Sequence, residues 1–344
     1  MLGIRNPEPT KYGRVIMENS KQSKVKFRSL TVDPSRHPSV AQSKNENRKV
    51  LYEKASGYLS RVFAAAKRKE TFSLEPGYQI MRKIVDTQPS CDILFVMAIH
   101  LNDLSKFMIH HCVNVAIFAV KMGAALGLSK SEQVEMGMAG LLHDVGTALI
   151  PERIINKKGR FTAEEFRLFQ KRPTHSYEIL RSLGGNTGYL AEIAQQVYEK
   201  IDGSGYPLGL KGEEIHEHAQ ILSLADMYEA MIHSRPQRDK LLNFTAVKEI
   251  IKTSKHSFRR QYLKVFLSVF SIFPIYSYVR LNSDAIGKVI ETYPDQPMRP
   301  KIQIIYDSQK RRVLTERIIN LPENPLLYIV DSVAEAALKE MEPQ

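Results

Sequence analysis

GLLHDVG, residues 140 to 146, sets a histidine beside an aspartate, His143 and Asp144, at the end of an apolar stretch that includes Met136, Met138, Leu141 and Leu142. Burying an imidazole or a carboxylate costs on the order of several kcal/mol unless it is hydrogen-bonded, paired or bound to a metal. Two such groups side by side in a segment patterned for burial therefore require a partner. The fold reading follows from that requirement.

The surrounding chain is helical in pattern. HHCVNVAIFAVKMGAALG, closed by Gly127, and SKSEQVEMGMAGLLHD, opened by Ser129 with Glu132 three residues on, carry helix stop and start signals. Thr162 with Glu165 opens another helix in FTAEEFRLFQKR, and HAQILSLADMYEAM is apolar over a broad face. Apolar residues also recur at helical spacing upstream, at Leu51, Ala55, Leu59, Val62 and Phe63, then Ile80 and Ile84, then Ile93, Phe95 and Val96.

After Phe244 the texture changes. Short β-branched runs separated by NSD, YPDQP and YDS predict strands and hairpins from about residue 276 to 325, followed by a last short helix in VDSVAEAALKEM. The expectation is a mainly α protein, a helical bundle with N-terminal helices and a small C-terminal β-rich appendage. It divides into a flexible basic segment (1–45), an N-terminal helical region (46–104), the central helical domain (105–254) and a C-terminal helix with the β-rich unit (255–344).

Composition excludes several classes. In 344 residues with 43% hydrophobic content there are two cysteines, Cys91 and Cys112, without CxxC spacing, so no disulfide framework is expected and a reducing compartment fits. LKVFLSVFSIFPIYSYV is broken by Lys264 and Pro274 and falls short of a membrane span, and the N-terminus lacks the apolar core of an export signal. The net charge of +12 is concentrated in the first 70 residues, without an RNA-binding or zinc-finger signature, and predicts a solvated basic tail rather than a specific nucleic-acid site. A cytoplasmic location is expected.

Four metal-compatible side chains lie in apolar contexts: His111 at the start of one helix, His143 and Asp144 at the end of the next, and Asp226 in LSLADMYEAM. Each taken alone reads as a satisfied core residue or a helix cap. Together they supply two nitrogens and two oxygens, a set suited to one Mn²⁺, Fe²⁺ or similar borderline divalent ion.

The order H…HD…D, in HHCVNVA, LLHDVG and SLADMYEA, resembles the HD superfamily of metal-dependent phosphohydrolases. KIDGSGYPLGLKGEEI, followed by the aspartate and RPQR, is similar to its HD-GYP branch, the cyclic-di-GMP phosphodiesterases. The resemblance runs from about His111 to Arg238. It implies His111, His143, Asp144 and Asp226 as metal ligands, with Asp144 also catalytic. It implies Arg235 and Arg238 as phosphate-contacting positions and a GYP loop of Gly203, Gly205, Tyr206 and Pro207 that borders the site and contacts partners. The two glycines are expected to supply positive φ in a rigid turn.

The chain departs from that branch at defined positions. Thr147 stands where the branch has a lysine, Arg172 where a histidine precedes proline, and Val197 and Tyr198 where two histidines stand together. The surviving set is that of a one-metal site. A guanidinium about 4 Å from a second divalent ion would be repelled by roughly 8 kcal/mol at an effective dielectric of about 20. Arg172 is therefore expected to replace that ion's charge and to grip a phosphate together with Arg235 and Arg238. His175, on nearly the same helix face, reads as a surface histidine rather than a displaced ligand.

The functional expectation is a cyclic-di-GMP signalling protein with a divergent site. It would be a nucleotide-binding regulator, or one that binds a partner signalling protein through the GYP loop, with weak or no hydrolysis; a homodimer is compatible with it. The alternative is an active one-metal phosphodiesterase in which Asp144 helps orient the attacking water. A scaffold with neither ligand nor metal, motivated by the basic N-terminal region, is the third reading.

Overall fold

The structure is a computed structural model that describes residues 38–87, 93–100, 107–253, 257–293 and 295–339. The expectation of a flexible segment over 1–45 falls mostly outside them; from Pro38 the backbone is already helical. Helices α1 (Pro38–Lys67), α2 (Glu75–Thr87) and α3 (Ile93–His100) precede two that carry the first candidate ligands, α4 (Phe107–Ala125) and α5 (Lys130–Leu142).

Helix α4 is the axis of the bundle. Every residue from His111 to Val120 is buried, so it has no solvated face, and its apolar composition reflects contact on all sides. It is long and apolar enough to cross a membrane, but 67% of its most apolar window is covered by the rest of the molecule. Helix α5 crosses it closely at Gly140, where a Cβ would stand 2.8 Å from the Ala116 Cα. That close approach brings the following His143 and Asp144 against α4. The start of α5 is fixed by the expected capping box of Ser129 and Glu132, and its predecessor ends ahead of Gly127 at φ +77°.

A 3₁₀ turn (Val145–Leu149) follows the HD pair, then α6 (Glu152–Ile155), α7 (Ala163–Phe169) with its Thr162–Glu165 capping box, α8 (Arg172–Ser182) and α9 (Gly188–Gln196). The GYP segment is irregular. Beyond it lie α10 (Glu217–Ile232), α11 (Asn243–Thr253) and α12 (Arg260–Val269). One apolar cluster joins side chains from α1 to α5 and from α8 to α12, with Phe118, Tyr228, Phe266 and Phe270 packed ring on ring at centroid distances such as 4.5 Å for Tyr228–Phe270 and 5.1 Å for Phe118–Phe270.

The C-terminal unit is an antiparallel sheet in the order β4-β3-β2-β1-β5, formed by β1 (Tyr278–Leu281), β2 (Ile286–Glu291), β3 (Lys301–Tyr306), β4 (Ile318–Asn320) and β5 (Ile329–Val333). Alternate residues Ile302, Ile304 and Tyr306 of β3 face inward, the period-two pattern of a half-buried strand. Its core of Phe273, Val279, Leu281, Val289, Ile302, Ile304, Leu321 and Ile329 is separate from the helical cluster.

One expectation is corrected here. The stretch VDSVAEAALKEM is not a helix throughout, because Asp331, Ser332 and Val333 pair with Arg280, Val279 and Tyr278 as strand β5, and among its described residues Glu335–Lys339, helix α13, are the helical ones. The neighbouring Ile329 is drawn into the sheet core, so strand pairing overrides the helical spacing of the segment.

Candidate metal centre and its surroundings

The end of α5 delivers His143 and Asp144 with no solvent exposure, and the 3₁₀ turn after them lies tight on α8. A side chain at Gly146 would run into the Arg172 carbonyl and the Ser176 backbone, and the Gly146 N–H donates to Ser176 Oγ at 2.8 Å. The glycine of HDVG is therefore what allows α8, and with it Arg172, to approach the aspartate.

His111, His143 and Asp144 each offer a ligand atom within 4.8 Å of the others, and all three are buried. Asp226 completes the group from α10. Its Oδ1 is 2.9 Å from His111 Nε2 and 3.4 Å from His143 Nε2. The four residues singled out along 116 positions of sequence thus converge. Arg235 also reaches this place, with Nη2 3.2 Å from His111 Nδ1 and 3.5 Å from Glu229 Oε2. Arg238 instead spends its guanidinium on the Ala230 carbonyl, while its main chain forms a short bridge to that of Arg235. His175 pairs with Glu178 at 3.4 Å and takes no part.

The donor set fits a divalent cation on two grounds. His143 Nδ1–H donates to the Gly140 carbonyl at 2.8 Å, which leaves Nε2 with its lone pair toward the cluster. In addition, no N–H or O–H donor satisfies the buried His111 Nε2, His143 Nε2 and Asp144 Oδ1, and what the two ring nitrogens face is the Asp226 carboxylate, itself an acceptor. Three orphaned acceptors facing one another are stable only with a proton or a cation between them.

The electrostatics agree. Burial opposes charge on the His111 ring, but the Glu229 carboxylate at Nδ1 overrides it and lifts the ring to about 9. Burial likewise works against the Asp226 anion, and contact with the two imidazoles reverses that effect, holding it below the usual carboxylate range.

Arg172 sits 2.8 Å from Asp144 Oδ2 through Nη1, almost fully buried. Its guanidinium lies between the Phe169 ring, 3.8 Å from the centroid, and the Tyr198 ring, 4.5 Å away. Tyr198 in turn stacks on Tyr206 of the GYP loop with centroids 5.3 Å apart and planes 3° from parallel, and Arg172 Nη2 is 3.4 Å from Tyr206 Oη. Two of the sequence departures, Arg172 and Tyr198, are therefore one unit.

The loop itself is held from beneath by Glu199, whose carboxylate accepts from the N–H groups of Leu208 at 2.6 Å, Gly209 at 3.2 Å and Leu210 at 3.1 Å. Gly203 has the expected positive φ of +81°, but Gly205 does not. Gly205 is required because a Cβ there would enter the backbone of Glu199 and Lys200. The Tyr206–Pro207 peptide is cis.

Sequence reasoning passed over Glu229 and Glu199, both about 2% exposed. The available signal for Glu229 was its position three residues after Asp226, hence on the same side of α10.

The HD domain family matches residues 96–261, and the KOW domain associated with HD domain matches residues 278–341. Cyclic di-GMP phosphodiesterase PA4108 of Pseudomonas aeruginosa is 26% identical over 223 residues, covering 65% of this chain and 54% of that protein. Cyclic di-GMP phosphodiesterase PdeB of Borreliella burgdorferi is 30% identical over 206 residues, covering 60% of this chain and 54% of its own. The chain spans about half the length of these curated relatives. Among solved structures, Bd1817, an HDG"Y"P protein of Bdellovibrio bacteriovorus, is similar in fold, with a TM-score of 0.54 at 17% identity over 68% of this chain and 73% of that one. The chain carries an HD domain over residues 96–261, followed by a KOW domain of the kind associated with HD domains.

Proposed function

We propose that this protein is a cyclic-dinucleotide signalling module whose HD domain holds one divalent cation, Mn²⁺ or Fe²⁺, on His111, His143, Asp144 and Asp226, and in which hydrolysis is weak or absent. The observation that carries the reading is the buried Arg172 guanidinium on Asp144 Oδ2. An aspartate that bridges two ions needs both oxygens, and here one is committed to an internal cation. In place of the branch's histidines, Val197, fully buried, has no donor atom, and Tyr198, which carries Arg172, has only a phenol that burial holds in its neutral form.

The activity of the two relatives, both cyclic di-GMP phosphodiesterases, supports the ligand class. In this reading Arg235 and the outer arm of Arg172, at Nη2, contact the phosphates, and Arg238 orders the turn that presents Arg235. A bound cation would supply Lewis acidity toward a phosphate oxygen. Asp144 would orient water, and Tyr206 would report occupancy to the exposed GYP loop, where Leu208 offers a contact to a partner signalling protein. The setting we propose is the cytoplasm.

The convergence of orphaned acceptors favours a second reading, an active one-metal phosphodiesterase. One experiment separates the two. Calorimetry with cyclic-di-GMP in the presence of Mn²⁺, together with chromatographic assay for the linear dinucleotide, should give saturable binding and no catalytic turnover. Multiple turnovers would establish the enzyme instead, and absence of both binding and metal would overturn the proposal.

A further inference from the structure

His111 is gripped at both ring nitrogens by carboxylates from successive turns of α10. Asp226 lies 2.9 Å from Nε2, and Glu229 accepts from Nδ1–H. Glu229 meets His111 at Nδ1 and not at the Nε2 that faces Asp226, and its other oxygen is occupied by Asn114 Nδ2 at 3.1 Å and His233 Nδ1 at 3.0 Å. Asn114 is itself oriented. Its Oδ1 accepts from the Tyr52 hydroxyl at 2.8 Å, which turns the amide nitrogen toward Glu229. Tyr52, Asn114, Glu229 and His111 are buried, between 0 and 4% exposed.

Resting on the one-cation reading above, we propose that Glu229 is a positioning residue for the metal centre, acting through His111, and that Tyr52 on α1 sets its orientation. The chemistry is directional at each link. A tyrosine hydroxyl facing a carbonyl oxygen donates, so the amide nitrogen must face away from it. A carboxylate facing that nitrogen accepts, and its second oxygen then accepts from His111 Nδ1–H. This fixes the tautomer in which Nε2 holds its lone pair for a cation, and the negative charge behind the ring makes that lone pair more basic. The N-terminal helix is thereby coupled to the affinity of a site to which it contributes no ligand.

The test is Mn²⁺ binding to the full chain, followed by the electron paramagnetic resonance of free Mn²⁺, with absorption of the Co²⁺ form as a second readout. Glu229→Gln should weaken Mn²⁺ binding by roughly 10- to 100-fold and shift the Co²⁺ bands, as expected when the partner of a ligating histidine is lost. Tyr52→Phe, which removes one oxygen and leaves the ring in place, should weaken binding by about threefold, the scale of one hydrogen bond. The double variant should bind no more weakly than Glu229→Gln, because both changes act on one ring. Phe273→Ala, in the separate sheet core, should leave both readouts where they are in the parent.

A parent protein that binds no Mn²⁺ would overturn the one-cation reading itself. A parent that binds, with Glu229→Gln binding equally well and its Co²⁺ bands unshifted, would overturn this inference alone. If Glu229→Gln does not fold, Tyr52→Phe decides: parental affinity with parental bands rejects the coupling.

Discussion

Arg172 resolves a charge problem created by the HD pair. Burial raises the cost of the Asp144 anion, and the guanidinium beside it outweighs that and keeps the carboxyl below its ordinary range; burial also works against charge on Arg172, and Asp144 more than compensates. Each group depends on the other. Removing one partner of such a pair leaves an uncompensated buried charge, which typically costs about 3–5 kcal/mol. Arg172→Met should therefore lower unfolding stability by about that amount in chelator. Saturating Mn²⁺ should return much of the loss, because a cation on Asp144 takes over the neutralising role, and Mn²⁺ should bind more tightly than to the parent once the competing positive charge is gone. Urea denaturation with and without Mn²⁺ measures both effects. An equal loss of stability in the two conditions would place the Arg172–Asp144 pair outside the cation's influence.

Helix α10 organises the site along its length: Asp226 and Glu229 at its middle, His233 at its end, and two histidines at its start. Its N-terminus is capped by the His216 ring, whose Nδ1 accepts from the His218 N–H at 3.1 Å, and His218 Nδ1 faces the Tyr189 hydroxyl at 2.8 Å. His216 Nδ1 accepts from a backbone N–H and can do so only while unprotonated, and the positive end of the helix dipole further disfavours imidazolium at both rings. Burial lowers the His216 ring below 6.5, and burial together with His216 brings His218 down to about 4. With folded values below unfolded ones, the unfolded chain binds more protons in this window, so stability rises with pH. The contribution is complete above pH 6.5 and is lost as pH falls toward about 4, amounting to about 3 kcal/mol for His218 at 1.36 kcal/mol per unit. Melting temperature measured from pH 7 down to pH 4 should fall in the parent, and His218→Gln should flatten the slope. A parent whose melting temperature is constant over that range would contradict the assignment. The raised His111 ring acts in the opposite sense and in a different window, above pH 6.5, so it does not mask the effect.

At the scale of the whole chain, what could be read in advance was what is local. The capping boxes of Ser129 with Glu132 and Thr162 with Glu165 are complete within four residues; His111, His143 and Asp144 stand out because apolar neighbours announce their burial, and the half-buried Asp226 stands out by its own apolar context. Strand β5 was misread because its partner β1 lies some fifty positions earlier, and nothing within VDSV announces the pairing. Glu229 was missed because a lone carboxylate on a helix reads as a solvated face, while the asparagine it bonds is 115 positions away. Arg172 and Tyr198 were visible as departures, but their stacking was not, since it depends on the GYP loop folding back over α8. Long-range pairing also governs how the two apolar clusters meet. Phe273 is fully buried in the sheet core and stacks on Phe244 of α11 with centroids 5.3 Å apart, the ring contact that joins the sheet unit to the helical body. Phe273→Ala should remove about 3–5 kcal/mol from the unit it packs in, the usual loss for a buried phenylalanine. Because that core is separate from the one around the metal centre, calorimetry should show the sheet melting in an earlier step of its own while Mn²⁺ affinity remains parental. A single transition shifted downward, with Mn²⁺ affinity reduced alongside it, would mean that the two clusters unfold as one cooperative unit and that the sheet supports the site through α11.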